Sequence, residues 1–323
     1  MKKMTRKRFI VTIVSACAIA GALTFIFLSA VAIAARARRS DRYIEPDYVR
    51  YAAQGYSFDT VSNKTSILFT VTDDSQPVRI HLLMIDEDKH TLDILDIPPL
   101  LYTVVDGFSG TLKEAFATGV YKEIASRTLA INVDYKLSLS AESLATATEL
   151  LGNTAAKLPS TVRAGDLVLN KGTVSFDKSK ASEVILLPNA YLTQDAVLAY
   201  HAYFCSLILK TNEAGAVDSF AKLLGLILNS VNTDMMLDDI ISVANTSNKI
   251  TLKKTNIYLL PGEMTVYGGK SVYSIHLNDT ALLLNQSFRV KGVEIPESEF
   301  SAPELANSGK SFSLPKQVTH YIP

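Results

Sequence analysis

The chain has 323 residues, of which 48% are hydrophobic, and its 32 basic residues balance its 32 acidic residues. The first 42 residues hold nine Lys and Arg against one acid, which leaves 23 basic and 31 acidic residues after them. This acidic majority excludes nucleic acid as an expected partner, because a phosphate backbone requires a positive surface.

The first predicted element is a membrane-spanning helix at residues 9–35. The run contains no charged side chain, and an α-helix needs about 20 residues to cross about 30 Å of hydrocarbon. Five basic residues precede it and four follow it, offset by Asp41, so the positive-inside rule favours a cytoplasmic N-terminus by a small margin. A cleavable signal peptide has a shorter apolar core of about 7–15 residues. We therefore expect a single-pass cell-membrane protein with an uncleaved signal-anchor, a cytoplasmic segment 1–8 and an extracytoplasmic bulk.

After a polar juxtamembrane connector at 36–63, the sequence predicts one domain over residues 64–290. Runs rich in β-formers predict strands, and apolar periodicity near 3.6 predicts helices. The predicted strands are 66–72, 78–86, 91–97, 129–137, 166–169 and 250–260. The predicted helices are 111–126, 140–152, 194–211, 216–230 and 234–245, with Ser140 and Thr233 as N-caps. The pattern indicates an α/β (mixed α+β) fold, in which a central β-sheet is flanked by helices in three layers.

Other features of the sequence indicate few special constraints. Residues 291–323 are rich in Ser, Pro and Glu and predict a loose C-terminal tail. Cys17 lies in the predicted span and Cys205 in the domain, so no internal disulfide is expected. The five histidines show no metal-ligand spacing.

Four residues are candidates for a phosphate- or metal-binding site: Asp73, Asp74, Arg79 and Asp195. Two acids and an arginine near one strand end fit such a site, and they also fit a turn with a surface ion pair. Asp195 also fits a helix N-terminus, where the dipole favours an acid. His201 and Cys205 are spaced i and i+4, which suits a metal site or, without a third ligand, the interior of a packed helix.

The order of the elements over about residues 64–288 resembles the LytR-CpsA-Psr family of bacterial cell-envelope proteins. Residues 67–73 resemble the family's first core strand, which ends in Gly-Thr-Asp, and residues 111–116 resemble its Lys-Leu-x-x-Ala-Tyr helix. The block 223–244 and the Leu-Pro-Gly at 260–262 resemble later elements. The resemblance implies one membrane span and an extracytoplasmic domain that transfers glycopolymers from a polyprenyl-pyrophosphate carrier to peptidoglycan or another wall acceptor.

The chain departs from the family at the positions that bind the lipid pyrophosphate through arginines and Mg²⁺ through aspartates. Arg79 matches the arginine of the family's Arg-x-Asp element. The degenerate positions are His81 for its aspartate, Pro99 and Leu100 for the last two residues of Ser-Ile-Pro-Arg-Asp, and Leu186 and Pro188 for an Arg-x-Arg pair. Each charge-assisted contact contributes about 1.5–3 kcal/mol, so these replacements weaken pyrophosphate binding by orders of magnitude. We therefore expect a catalytically degenerate protein that binds polyprenyl-linked precursors or wall glycopolymer, or acts as a scaffold.

Two alternatives remain open at this point. One is an active glycopolymer transferase with a rearranged phosphate site around Asp73, Arg79 and either Arg127 or Arg163. The other is an envelope adaptor that binds no lipid. A deep apolar tunnel between sheet and helices would favour lipid binding, whereas a filled core would favour the adaptor.

Overall fold

The structure is a computed structural model that describes residues 64–105, 107–158, 160–187, 193–213, 223, 226, 230–247, 255–288 and 300–303. The predicted cytoplasmic segment, span and connector at residues 1–63 lie outside this set, as does Pro188. None of the helices in the described part of the chain has the length and apolar character needed to cross a membrane. Residues 235–242 belong to a separate unit from the rest of the described chain.

The described elements comprise fourteen strands and seven α-helices. In chain order the strands are β1 (Lys64–Asp73), β2 (Gln76–Asp86), β3 (Thr91–Ile97), β4 (Tyr102–Val105), β5 (Phe108–Thr111), β6 (Tyr135–Ser140), β7 (Thr154–Leu158), β8 (Val162–Ala164), β9 (Leu167–Leu169), β10 (Gly172–Phe176), β11 (Asn232–Thr233), β12 (Thr255–Leu259), β13 (Gly262–Tyr267) and β14 (Lys270–Ile275). The helices are α1 (Leu112–Ala115), α2 (Tyr121–Leu129), α3 (Ala141–Leu150), α4 (Lys178–Ile185), α5 (Gln194–Glu213), α6 (Leu237–Ser247) and α7 (Leu277–Leu283), which continues as a π-helical turn, Leu284–Phe288.

A six-stranded mixed sheet has the strand order β11-β6-β1-β2-β3-β12. Strands β1, β2 and β3 are antiparallel neighbours, whereas β6 runs parallel to β1 and β12 runs parallel to β3. The parallel pairs need long crossovers, which here contain helices. The predicted mixed α/β architecture with a central sheet is therefore confirmed for the described residues.

Alternate side chains of the central strands enter two separate cores, as the two-residue period of a strand requires. Phe69 and Val71 of β1 pack in the core that contains apolar residues of α3, α4 and α5. Leu68 of β1 packs in the other core, with residues of α2 and the π-helical turn. Burial on both faces explains why the strands are nearly continuous apolar runs.

Two sequence predictions between residues 111 and 137 are wrong in their boundaries. The single helix expected at 111–126 is two helices. Helix α1 begins with a capping box of Thr111 and Glu114 and ends at Ala115, and the chain passes through Gly119 before α2 begins at Tyr121. The strand expected from residue 129 begins at Tyr135. Helix α2 extends to Leu129, where the strand was expected to begin, and its C-cap Ala130, with a left-handed φ of 49°, closes its last turn. Residues 131–134 then connect the helix to the strand.

The two predicted N-caps have different outcomes. The Ser140 hydroxyl accepts a hydrogen bond from the Ser143 N–H at 3.1 Å, which confirms it as the cap of α3. Thr233 lies in β11 and its hydroxyl donates to the Lys136 carbonyl at 2.7 Å. It is therefore part of the sheet edge, and α6 begins four residues later.

The described C-terminal residues 300–303 return to the domain beside β4. The Val104 N–H donates to the Ser301 carbonyl at 2.7 Å, and the Thr103 hydroxyl donates to the same oxygen at 3.2 Å. Ala302 is buried. The remaining residues of the predicted tail after Pro303 and before Phe300 lie outside the described set.

We predict that Gly262→Ala destabilises the domain by about 1–3 kcal/mol, because an added Cβ would lie 2.2 Å from the Ser274 carbonyl oxygen. That oxygen belongs to the backbone of β14 and cannot move without disturbing its pairing with β13. Chemical denaturation followed by circular dichroism measures the change. Gly119→Ala is the matched control, since it has open space around the added Cβ, and it should change stability by less than about 0.5 kcal/mol. Equal stability of the two variants would contradict the prediction.

Candidate functional site

Buried polar side chains meet between the central sheet and helix α5. Arg79 and His81 of β2 lie two residues apart and therefore face the same side, and Asp96 of β3 is the direct cross-strand partner of His81. Helix α5 contributes Tyr200 and His201. All five residues are buried. We call this group the polar cluster.

Hydrogen bonds join the members of the polar cluster across three elements. The Tyr200 hydroxyl lies 2.7 Å from His81 Nε2, and His201 Nε2 donates to Asp96 Oδ2 at 3.0 Å. His81 Nδ1 lies 3.5 Å from Asp96 Oδ1. One carboxylate therefore lies between two imidazole rings, one from the sheet and one from the helix.

Aromatic rings enclose His81 on the apolar side of the polar cluster. Its ring stacks on Tyr200 with a centroid distance of 5.4 Å and an interplanar angle of 4°, and on Phe204 at 4.9 Å. Phe69 of β1 stacks at 5.9 Å from the other direction. These contacts fill the space between β2 and α5, so in this region the core is filled.

The guanidinium of Arg79 binds the C-terminal end of helix α4. A terminal nitrogen of its guanidinium donates to the Val184 and Leu187 carbonyls, each at 3.1 Å. The guanidinium carbon also lies 4.5 Å from the centroid of the Tyr200 ring, a cation–π contact. A positive group at a helix C-terminus satisfies carbonyls that the helix itself leaves without partners. The arginine that matches the family's phosphate-binding residue therefore caps a helix in this chain.

Burial sets the protonation of the polar cluster. It lowers the pKa of His81 to about 4, so this ring is neutral at neutral pH. Burial opposes ionisation of Asp96, but the hydrogen bond from His201 and the electrostatic interactions with the two imidazole rings and with Arg79 outweigh it and hold its pKa below the usual range. Burial raises the pKa of Tyr200 well above its ordinary value and that of the Cys205 thiol to about 12. Neither Tyr200 nor Cys205 is activated as a nucleophile.

The four residues predicted as a phosphate or metal site serve different local structures. Asp73 is in the last pair of the β1–β2 hairpin, and Asp74 (φ 45°) and Ser75 (φ 62°) form its exposed two-residue turn. The Asp195 carboxylate accepts a hydrogen bond from the Arg163 N–H at 2.8 Å and joins α5 to β8. Arg79 points to α4 as described above. Whether any of them binds phosphate or metal stays a prediction.

The described degenerate positions present no cationic side chain to a ligand. Leu186 is the C-cap of α4, and Leu100 packs against the core. The Pro99 carbonyl accepts from the Lys113 N–H at 2.8 Å. His81, which replaces the family's aspartate, lies under α5 and is enclosed by rings, so the residues here do not fit a magnesium ion. No group of three or more metal-ligating side chains in the described part of the chain could hold one.

Sequence reasoning missed the roles of Tyr200 and Asp96 and treated His201 as a helix-interior residue. Asp96 is one of two acids in the strand Thr91–Ile97, and its position between Leu95 and Ile97 is a signal for a satisfied buried charge. The partner of that charge could not be identified, because His201 is 105 residues away. His81 and Tyr200 are separated by 119 residues.

An apolar pocket of about 160 Å³ opens farther along helix α5. It is lined by residues of β6, α3, α5 and the segment before β11, namely Leu139, Ser143, Leu144, Ala147, Leu151, Leu207, Thr211, Leu223, Leu226, Ser230 and Val231. Leu207 follows His201 by six residues, which is about 9 Å along a helix. Tyr203 lies between the two regions, and its hydroxyl hydrogen-bonds with that of Thr148 at 2.8 Å.

We predict that Arg79→Met lowers the free energy of unfolding by about 2–4 kcal/mol, because two buried carbonyls lose a charged donor. Arg79→Lys should recover part of this loss, since it keeps one positive charge but cannot reproduce the guanidinium fork. Thermal and urea unfolding measure both variants. Arg163→Met, an exposed arginine on β8, is the control and should be nearly neutral. A neutral effect of Arg79→Met would show that the cap contributes little.

Comparison with known proteins identifies the fold. No protein-family model and no curated protein matches the sequence. Among solved structures, the chain is similar to protein gbs0355 from Streptococcus agalactiae, with a TM-score of 0.60 and 15% identity over 78% of this chain and 96% of that one. It is also similar to TagU of B. subtilis, with a TM-score of 0.52 and 16% identity over 72% of this chain and 100% of that one. Its similarity to TagT bound to LI-WTA has a TM-score of 0.56 and 16% identity over 72% of this chain and 92% of that one. These are LytR-CpsA-Psr proteins, so the fold that the resemblance implied is confirmed.

Proposed function

We propose that this chain is a membrane-anchored, extracytoplasmic LytR-CpsA-Psr-like protein of cell-envelope assembly that has lost transferase chemistry and acts by binding envelope precursors or as a scaffold. Its fold is that of TagT and TagU, and the TagT structure is described as bound to LI-WTA, which supports a role in wall assembly. The hydrophobic run at 9–35 supports the anchor. The basic residues that flank it support a cytoplasmic N-terminus.

The loss of transferase chemistry is proposed on one observation, the commitment of Arg79. A pyrophosphate group needs fixed positive charge, which arginine supplies through a bidentate fork. Here the guanidinium donates to two backbone carbonyls and lies over Tyr200. Binding a pyrophosphate at this point would require uncapping α4 and separating α5 from the sheet. The other family positions supply no replacement charge in the described residues.

Binding of a polyprenyl chain is supported by the apolar pocket beside α5. A dry cavity of about 150 Å³ holds a molecule of the size of benzene, so the pocket of about 160 Å³ fits a short hydrocarbon segment and not a whole polyprenyl chain. The filled core between β2 and α5 prevents its extension toward the polar cluster. The geometry therefore favours a scaffold, or a protein that holds one end of a lipid.

The rearranged transferase is the second candidate, and it has one observation in its favour. Arg163 is exposed on β8, and its backbone N–H binds the carboxylate of Asp195. The backbone of Arg163 and the carboxylate of Asp195 are thus adjacent at the N-terminus of α5, and a helix N-terminus is favourable to anions. The same pair also serves simply to join β8 to α5.

We predict that the full-length protein in detergent does not cleave a polyprenyl-pyrophosphate in the presence of Mg²⁺, because no described cluster supplies the required positive charge. Chromatography of the lipid product measures cleavage. Turnover that is lost in Arg163→Ala but retained in Lys171→Ala, a matched exposed cation, would replace this proposal with the rearranged transferase.

Mass spectrometry of lipid that copurifies with the chain separates the two non-catalytic functions. A bound polyprenyl species that is lost in Leu144→Arg, which places a charge in the apolar pocket, would support lipid binding. Its absence from the parent protein would favour the adaptor that binds no lipid. Circular dichroism of Leu144→Arg confirms that the variant is folded before the comparison is made.

A further inference from the structure

The polar cluster fastens helix α5 to the sheet through titratable groups. The contacts that cross from α5 are Tyr200 to His81 of β2 and His201 to Asp96 of β3. Arg79 is the other charged group of the sheet that faces them. Helix α4 contributes backbone carbonyls, and Tyr203 and Cys205 are the further titratable side chains of α5 that are buried on this side.

A second proton on His81 would disturb its contact with Tyr200. The Asp96 carboxylate lies 3.5 Å from Nδ1 and favours the neutral form with its proton on that atom, in which Nε2 accepts the hydroxyl proton of Tyr200 at 2.7 Å. A proton added to Nε2 would require the Tyr200 hydroxyl to turn and accept instead, so its own hydrogen would lose this acceptor in a buried site. The positive ring would also stack on the same tyrosine over which the Arg79 guanidinium lies.

His201 makes the second contact from α5 to the sheet. Its Nε2 donates to Asp96 Oδ2 at 3.0 Å, and its Nδ1 is buried and has no hydrogen-bond partner among the described residues. The contact between α5 and β3 therefore depends on one hydrogen bond of this ring.

We propose that the polar cluster is an acid-sensitive clamp, which holds α5 on the sheet while His81 is neutral and releases the helix when this ring is protonated. Because Leu207 and Thr211 of α5 form one wall of the apolar pocket, release of the helix also widens that pocket. The clamp thereby links external acidity to access for an apolar ligand, and this last step depends on the extracytoplasmic location proposed above.

The lowered pKa of His81 determines how the stability of the clamp changes with pH. Its pKa is about 4 in the folded chain and about 6.5 in an unfolded one, so the open state takes up a proton first as the pH falls. Neutral His81 contributes its full stabilisation of the closed helix above pH 6.5. This contribution declines between pH 6.5 and pH 4 and changes no further below pH 4. Asp96, whose pKa is also depressed, loses its contribution only at lower pH. The population in which α5 is released from the sheet should increase about 30-fold between pH 7.5 and pH 5.

Amide hydrogen exchange of the full-length protein at pH 7.5 and pH 5, corrected for intrinsic rates, tests the clamp. Protection in α5 should fall about 30-fold, whereas protection in α2, which packs on the opposite core, should stay constant. His81→Gln keeps a partner for Tyr200 but does not titrate, so its α5 protection should be independent of pH. His276→Gln, which alters a histidine outside the polar cluster, should respond as the parent does.

Three results would overturn the clamp. Protection of α5 from exchange that does not change with pH would contradict the proposal. Equal loss of protection in α5 and α2 would indicate global unfolding instead. An acid response retained in His81→Gln would assign the effect to another group. If His81→Gln does not fold, the ring proton of His81 in the parent provides the test by magnetic resonance. A titration midpoint below pH 5 supports the proposal, and a midpoint at pH 5 or above refutes it.

Discussion

The buried negative charge of Asp96 is the constraint on which the middle of the domain depends. A carboxylate taken out of water must be matched by hydrogen bonds and positive charge. The match comes from His201 on α5, from His81 on the neighbouring strand and from the more distant Arg79. These partners fix the rotation of α5 about its axis, and that rotation directs Tyr200 and Phe204 onto the sheet. The space beneath the helix is filled in consequence.

An arginine at one position can have different roles in proteins that share a fold. In the family that the sequence resembles, the arginine that matches Arg79 of β2 binds a lipid pyrophosphate. In this chain Arg79 is kept but donates to the carbonyls of Val184 and Leu187. Residue identity at a matching position is thus weak evidence for chemistry, because the contacts of the side chain decide its use. This is why fold alone does not assign function.

Local features of this chain were predictable from sequence, and distant pairings were not. The strands β1 to β3 were found because both of their faces are apolar, and Ser140 was found because a cap acts within three residues. The division of the helix after Thr111 into α1 and α2, with Gly119 between them, was not predicted from apolar periodicity. The polar cluster could not be predicted from the sequence, since its hydrogen bonds join residues more than 100 positions apart. Only the register of β2 against β3 and the rotation of α5 bring them together.

The return of the chain to β4 near residue 301 also has a bearing on how shortened forms of this protein should be made. A boundary chosen at residue 290, where the sequence pattern of the domain fades, would remove the Ser301 carbonyl. Strand β4 would then present an open backbone edge at Val104, and such edges recruit other chains. The buried pair of Thr103 and Thr128 hydroxyls, which are 2.7 Å apart, would lose its cover at the same time. A fragment intended to stay monomeric should therefore extend through Pro303.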